Sequence, residues 1–289
     1  MQGLPSDLQS TRMAGILLMA LTAVLLASTL EGLVKAFLLR RAYDWRAYAA
    51  SLGDTVLRRL LGALHWSWTL PVLQWTHEHA WLSLDPQVWW TWLTLFIGQE
   101  FCYYWYHRSA HHIRWFWATH AVHHSAAELT WANALRLGLT GPLTGTALFF
   151  LPLTWLGFSP RQVLACLSLN LAYQFWLHAD WIPKLGPIEW VFNTPSHHRA
   201  HHGCQPRYLD CNFGGVLIVF DRLFGSFVEE SAHEPPRYGL VEPLSSYNPL
   251  KIALHEWLRL GRDLLGTHGW QQRWKVLTSK PAAYVSRAS

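Results

Sequence analysis

Apolar residues gather along this chain into long runs separated by short polar stretches, which predicts a bundle of helices. The first run, residues 13–30 (MAGILLMALTAVLLASTL), is 18 residues long, close to the ~20 that carry a helix across a hydrocarbon core. It continues past Glu31 and Lys35 to Leu39 and reads as a retained helix, since a cleaved signal has a shorter apolar region and a small-residue cleavage site. A second run, Leu60 to Trp75, contains His65, Pro71 and Gln74 and reads as a short or tilted span. The third, Val88 to Tyr106, is broken only by Gln99 and Glu100. The fourth and fifth, Leu135 to Phe158 and Val163 to Leu177, are joined by GFSPR, short enough to predict a tight hairpin. Downstream, GGVLIVFDRLFGSF (214–227) predicts a helix broken by glycine. Leu250 to Leu265 predicts an amphipathic helix with Leu250, Leu254, Trp257, Leu258 and Leu265 on one face, suited equally to a membrane interface or to packing on a neighbour.

Composition sharpens the reading of these runs as membrane spans. Hydrophobic residues make up 51% of the 289 positions, 19 are tryptophan, and only 14% are charged. A soluble domain approaches a quarter charged, whereas lipid-facing proteins place tryptophan at the headgroup level. The net charge of +5 is modest, and no dense Lys/Arg face suggests a nucleic-acid partner. Lys35, Arg40, Arg41, Arg46, Arg58 and Arg59 flank the connection between the first two runs, while residues 76–87 hold no Lys or Arg. The positive-inside rule puts the former in the cytoplasm, and counting crossings returns His107 and His178 to that side. Cys102, Cys166, Cys204 and Cys211 have no CxxC spacing; Cys204 and Cys211 could pair, but free thiols in a reducing compartment are the expectation. The expected organisation is an all-α, multi-pass membrane bundle with a cytoplasmic histidine-rich di-metal cap. Its divisions are transmembrane helices over 1–94, a catalytic domain over 95–230, and a loop with an amphipathic helix over 231–289.

Histidine supplies the candidate chemistry. His107 and His111 stand at i, i+4; His120, His123 and His124 form HxxHH; His198, His201 and His202 repeat it. On a helix each group presents its imidazoles on one side of a turn, as a metal needs for several ligands from one element. With His178 the set is nine, too many for one tetrahedral centre and suited to two metals with open positions; imidazole binds iron, zinc, copper and nickel. His65, His77, His79, His233, His255 and His268 read as ordinary structural histidines. HExxH is absent, and the only ExxH, Glu230 to His233, lies in a polar loop, so zincin and four-helix carboxylate di-iron sites fit worse. A metal transporter would place ligands near the bilayer midplane, whereas these sit at helix ends.

The order HxxxH, HxxHH, HxxHH, with the segments EFCYYWYHRSAHH, FWATHAVHHS, QFWLHADW and LGPIEWVFNTPSHHRAHHG, resembles the fatty acid hydroxylase/sterol desaturase superfamily of membrane di-iron oxygenases, nearest its alkylglycerol monooxygenase-like branch. The likeness covers about residues 95–230. It implies two iron ions held by His107, His111, His120, His123, His124, His178, His198, His201 and His202. His112 and His197 are left beside the set, where relatives often carry other residues. It implies that Glu100, where many relatives have aspartate, supports a ligand by hydrogen bonding; Asp221 matches a motif aspartate, and Asn193 and Asp180 are weaker supporting candidates. The implied reaction is O2-dependent hydroxylation of a C–H bond in a fatty acyl, sterol or alkylglycerol-type ether lipid. Ether cleavage would use a tetrahydropterin reductant. Desaturation at the same site is the nearest rival, and a non-enzymatic metal-binding membrane protein or transporter a more distant one. No cytochrome b5-like or ferredoxin segment is fused, so a separate electron donor is expected.

Overall fold

The computed structural model describes residues 6–281; of the side chains of residues 6–18, 63–67 (His65 among them) and 142 nothing is described. The described chain is all-helical, and its β pairing is confined to two isolated bridges, Phe192 with Leu217 and Gly203 with Tyr238. Helix α1 (Ser6–Leu33) runs into one wide turn at Val34–Leu38, and Met19–Leu38 is the one described stretch long and apolar enough to cross a membrane. The charges that interrupt it face protein. Lys35 is paired with Glu31 at 3.4 Å and Asp180 at 2.7 Å, while Glu31 accepts from the Trp131 backbone N–H at 2.7 Å and the Trp181 indole at 3.2 Å. A buried charge is tolerated when it is paired and hydrogen-bonded in this way.

Helix α2 (Trp45–Leu60) occupies what the hydrophobic pattern suggests is a connection. Its buried residues are Ala50, Ser51, Asp54 and Thr55, too polar to register as an apolar stripe. Asp44 caps it by accepting from Arg46 and Ala47 N–H, satisfying two otherwise orphaned donors. Helix α3 (Gly62–Glu78) continues through Pro71. Helix α4 (Trp89–His112) covers the third run and extends six residues beyond it, carrying the first histidine box in its last turns. Ile113 is extended (φ −123°, ψ 116°) and turns the chain directly into α5 (Arg114–His124), so the second box folds back against the first.

The fourth run is not one helix. Between Trp131 and Phe150 the chain makes three short 3-10 turns and becomes α-helical only at α6 (Leu151–Leu156). Gly138 and Gly145 adopt positive φ (76° and 81°), which a continuous helix cannot contain. The hairpin itself is present. Gly157 (φ 121°) ends α6, and Ser159 opens α7 (Pro160–Leu177) with a capping box to Gln162 and Pro160 in the first turn. The glycine-broken helix expected over 214–227 shrinks to α9 (Val219–Leu223), because buried carboxylates hold the backbone of 213–217 as a loop. Helix α8 (Pro195–His201) carries the third box, and α10 (Pro249–Leu265) and α11 (Trp270–Thr278) close the described chain. α10 packs on α5 and α2 through Ile252, Ala253 and Leu260. Of the face named from its periodicity, Leu250, Leu254, Leu258 and Leu265 are left outward and exposed, whereas Trp257 turns inward against Trp115 and Thr140.

A Cβ on Gly157 would collide with the Leu82 carbonyl in a conformation that L-residues rarely adopt. Gly157→Ala is expected to cost about 1–3 kcal/mol, read as a lower thermal unfolding midpoint in detergent. Gly261→Ala, with open space around the new methyl inside α10, is expected to leave that midpoint unchanged or raise it.

Candidate metal centre

The last turns of α4, helix α5, the residue that follows α7, and helix α8 with the residue after it bring nine histidines together in two adjoining groups. His107, His111, His120, His124 and His201 form one; His123, His178, His198 and His202 form the other. Within each group the potential ligand nitrogens lie within 4.8 Å of one another. The HxxHH spacing works by division: His123 faces the second group and His124 the first, while His198 and His202 face the second and His201 the first. His112, whose Nδ1 donates to the Arg108 carbonyl, and His197, packed on Phe227, stand outside both groups.

Backbone carbonyls aim the rings. His107 Nδ1 donates to Phe213 O (2.8 Å), His123 to Arg136 O (3.0 Å), His178 to Gln174 O (2.9 Å) and His201 to Cys211 O (2.8 Å). A carbonyl only accepts, so these Nδ1 atoms carry the proton and their Nε2 atoms present lone pairs. His123 and His178 thus point two Nε2 lone pairs at each other across 3.2 Å. Five further Nε2–Nε2 separations, joining His107, His120 and His124 in one group and His123, His178, His198 and His202 in the other, span 3.0–3.2 Å. Opposed lone pairs repel unless a cation lies between them. Metal–imidazole bonds of about 2.1 Å at right angles put neighbouring nitrogens about 3 Å apart, so the residues present fit metal ions.

Electrostatics agree. Burial, followed by the neighbouring imidazoles, holds His107, His120, His124, His178, His198, His201 and His202 well below the ordinary histidine range; for His123, burial is the first cause of a drop to about 4. Neutral imidazole is the metal-binding form.

The acids act one step further out than expected. Glu100 makes no hydrogen bond to a described histidine. Seven residues before His107, it accepts from Val216 and Leu217 N–H (2.8 Å each) and from Asn170. Asn170 also accepts from Gln174, whose carbonyl takes the His178 proton. Asp221 accepts from Phe213 and Gly214 N–H and Ser226 Oγ, all at 2.7 Å, fixing the loop whose Phe213 carbonyl orients His107. Burial raises its carboxyl to about 6. Asn193 donates to Gly214 O (2.6 Å) and so holds the same loop, while Asp180 is engaged with Lys35 and not with a histidine. A Cβ on Gly215 would strike Asn170, which is why this loop needs glycine there. Two supports escaped the sequence. Glu189 accepts from Thr194 and Ser196 hydroxyls (2.8 Å each) and anchors the start of α8. Asp210, at φ 58°, sets Oδ1 3.6 Å from His111 Nδ1 while Lys280 holds Oδ2 at 3.2 Å. Its only sequence signal is an acid near the third box. All four cysteines are free.

Comparison with known proteins identifies the class. Residues 92–226 match the family model described as Fatty acid hydroxylase, and this segment of the chain is a fatty acid hydroxylase domain. Over 193 residues (66% of this chain, 42% of the relative) it is 39% identical to alkylglycerol monooxygenase of Homo sapiens. The Caenorhabditis elegans alkylglycerol monooxygenase is 36% identical over 57% of this chain and 32% of its own length. Ornithine lipid hydroxylase OlsE of Rhizobium tropici is 34% identical over 56% and 47%. The chain thus spans less than half the length of these relatives. No solved structure matches it significantly.

Asp210→Asn is expected to lower metal affinity about 10- to 100-fold, measured as metal retained against a chelator series, with helical content unchanged. For the metal-free protein, the buried histidines take up protons less readily than those of the unfolded chain. Stability should therefore fall as pH drops below about 6.5 and continue falling to about 4, where His123 titrates in the fold. Denaturant unfolding between pH 8 and 4 measures this, and bound metal should shift the loss to lower pH.

Proposed function

We propose that this protein is an integral-membrane, non-heme di-iron oxygenase that hydroxylates a C–H bond of a lipid with O2, its ligands being His107, His111, His120, His123, His124, His178, His198, His201 and His202. The observation that carries the reading is the pair of buried, neutral imidazole groups inside a fatty acid hydroxylase domain. Imidazole nitrogens suit iron among other metals, the fatty acid hydroxylase domain favours iron among them, and the division into five and four suits two ions. Two bound irons would supply the redox equivalents for cleaving O2 beside the substrate carbon.

The chain's own residues would do the rest. Phe213, Arg136, Gln174 and Cys211 carbonyls fix the ring tautomers, and Glu100 and Asp221 hold the loop supplying the first of them. A lipid substrate is supported by an outward-opening apolar groove of about 490 Å³ lined by Phe101, Trp105, Leu148, Phe149, Leu153 and Leu156, a surface suited to an alkyl chain. Multiple membrane crossings are supported by the outward apolar faces of α1, α4 and α7, including Leu26, Leu30, Leu93, Ile97 and Leu169. In the same reading, the arginines around the first connection put the histidines on the cytoplasmic side. The named activities of the relatives favour hydroxylation over desaturation, with an ether lipid as one candidate substrate and a tetrahydropterin, cytochrome b5- or ferredoxin-type donor as the external reductant.

Lipidomics of cells with no protein, the wild type and a His198→Ala/His202→Ala variant tests this. An oxygenated or ether-cleaved lipid is expected only with the wild type, whose purified form should hold about two irons per chain, against fewer in the variant. Identical lipid profiles in all three, with the wild type iron-loaded, would overturn the reading for the lipids surveyed.

A further inference from the structure

Helix α10 has two different faces. Ile252, Ala253 and Leu260 are buried, and Trp257 Nε1 donates to Thr140 Oγ1 at 2.8 Å. Leu250, Leu254 and Leu258, spaced by four, form an outward stripe with Leu265; they are 50, 38, 63 and 82% exposed. On α11, Trp270 and Trp274 are one turn apart and 75 and 61% exposed. Packing on α5 explains the inner face of α10 and leaves this outer one unexplained.

The charge around the patch selects its partner. From Pro249 to Lys280 there are six basic and two acidic side chains, a net +4 out of +5 for the chain. Both acids are neutralised within the protein: Asp263 by Arg114 at 2.6 Å, and Glu256, mostly buried, beside His255 and Arg259 at 3.7 Å. Arg259 pairs with Glu242, and Lys280 with Asp210. Lys251 and Arg262, bordering the leucine stripe, and Arg273 and Lys275, flanking Trp274, form no ion pair with any described residue. Leucines and tryptophans on one surface, edged by uncompensated cations, have the composition of helices lying at the headgroup–acyl boundary of an anionic membrane. A second copy of this chain would bring the same four cations against themselves.

We infer that α10 and α11 form a foot seated on the surface of an anionic lipid leaflet. The leucines and both tryptophans enter the headgroup–acyl boundary, and Lys251, Arg262, Arg273 and Lys275 meet the lipid phosphates. The foot is braced directly on α5, which carries the second histidine box: Trp257 meets Trp115 edge-on at 5.0 Å, and Asp263 pairs with Arg114. Seating therefore sets the height of the histidine groups relative to the leaflet. This inference does not rest on the proposed oxygenation, and its test reads lipid contact alone.

A benzophenone amino acid placed at position 258 or 274 of the full-length protein, in nanodiscs of phosphatidylcholine with or without phosphatidylglycerol, reports the neighbour by mass spectrometry after illumination. Lipid adducts are expected at both positions, severalfold more abundant with phosphatidylglycerol, and rare for the probe at exposed Gln272 on the opposite side of α11. Combining Lys251→Gln, Arg262→Gln, Arg273→Gln and Lys275→Gln should abolish the phosphatidylglycerol dependence while leaving metal content and thermal unfolding unchanged. Cross-links to a second copy or another protein in place of lipid, absence of lipid adducts at 258 and 274, or yields indifferent to phosphatidylglycerol would each overturn it.

Discussion

The structure is organised by the need to hold many unprotonated imidazole nitrogens at close range. The Nε2 lone pairs of His123 and His178, 3.2 Å apart, repel one another, further Nε2 atoms stand 3.0–3.2 Å from their neighbours, and no single helix could keep them there. Four segments do so together, because each ring for which an Nδ1–carbonyl bond is seen has spent its proton on the backbone and cannot turn away without leaving a buried donor unpaired. Burial then keeps the rings neutral. The same low-dielectric surroundings that make the arrangement costly without a cation make it a strong site with one.

Much of the remaining architecture serves those carbonyls. The 211–217 loop offers two of them, and three kinds of group hold it: the Asp221 carboxylate from below, the Glu100 carboxylate from α4, and the Asn193 amide from the entry to α8. Arg136, whose carbonyl takes His123, is pinned by Ser51, Ser125 and the Ala47 carbonyl, which explains why α2 has so polar a buried face. Arg199 reaches from the third box to Glu230 and to the Ala179 and Ile182 carbonyls, tying α8 to the segment after His178. Glu100 and Asp221 are thus braces acting through the backbone, and the ligand positions are set by chain segments distant in sequence.

The parts legible in the sequence are those in which spacing itself is the physics. HxxxH and HxxHH put imidazoles on one side of a helical turn, and the family resemblance set His198, His201 and His202 apart from His197. The tight hairpin between the fourth and fifth runs was readable from GFSPR, since so short a connection leaves the chain no other path. The fourth run was misread because hydrophobicity reports burial, not conformation: 135–158 is apolar, yet its glycines bend it into 3-10 turns. GGVLIVF looked helical for the same reason, although carboxylates far away in the chain hold its amides. Helix α2 was missed because its inward face is alanine, serine, threonine and aspartate.

The sequence by itself determined which nitrogens can act together, that the chain is helical, and that a leucine stripe runs along α10, because these follow from periodicities a helix imposes on neighbours. Tertiary structure decided how HxxHH splits between two groups, which carbonyl orients each ring, and that Glu100 and Asp221 brace a loop while Asp210 faces His111. It also decided that the α10 stripe points outward and not into the core. Those choices depend on backbone atoms and on residues brought together from across the chain. A carbonyl acceptor is the same atom at every position and leaves no mark in the sequence; only the folded path shows which one a given imidazole can reach.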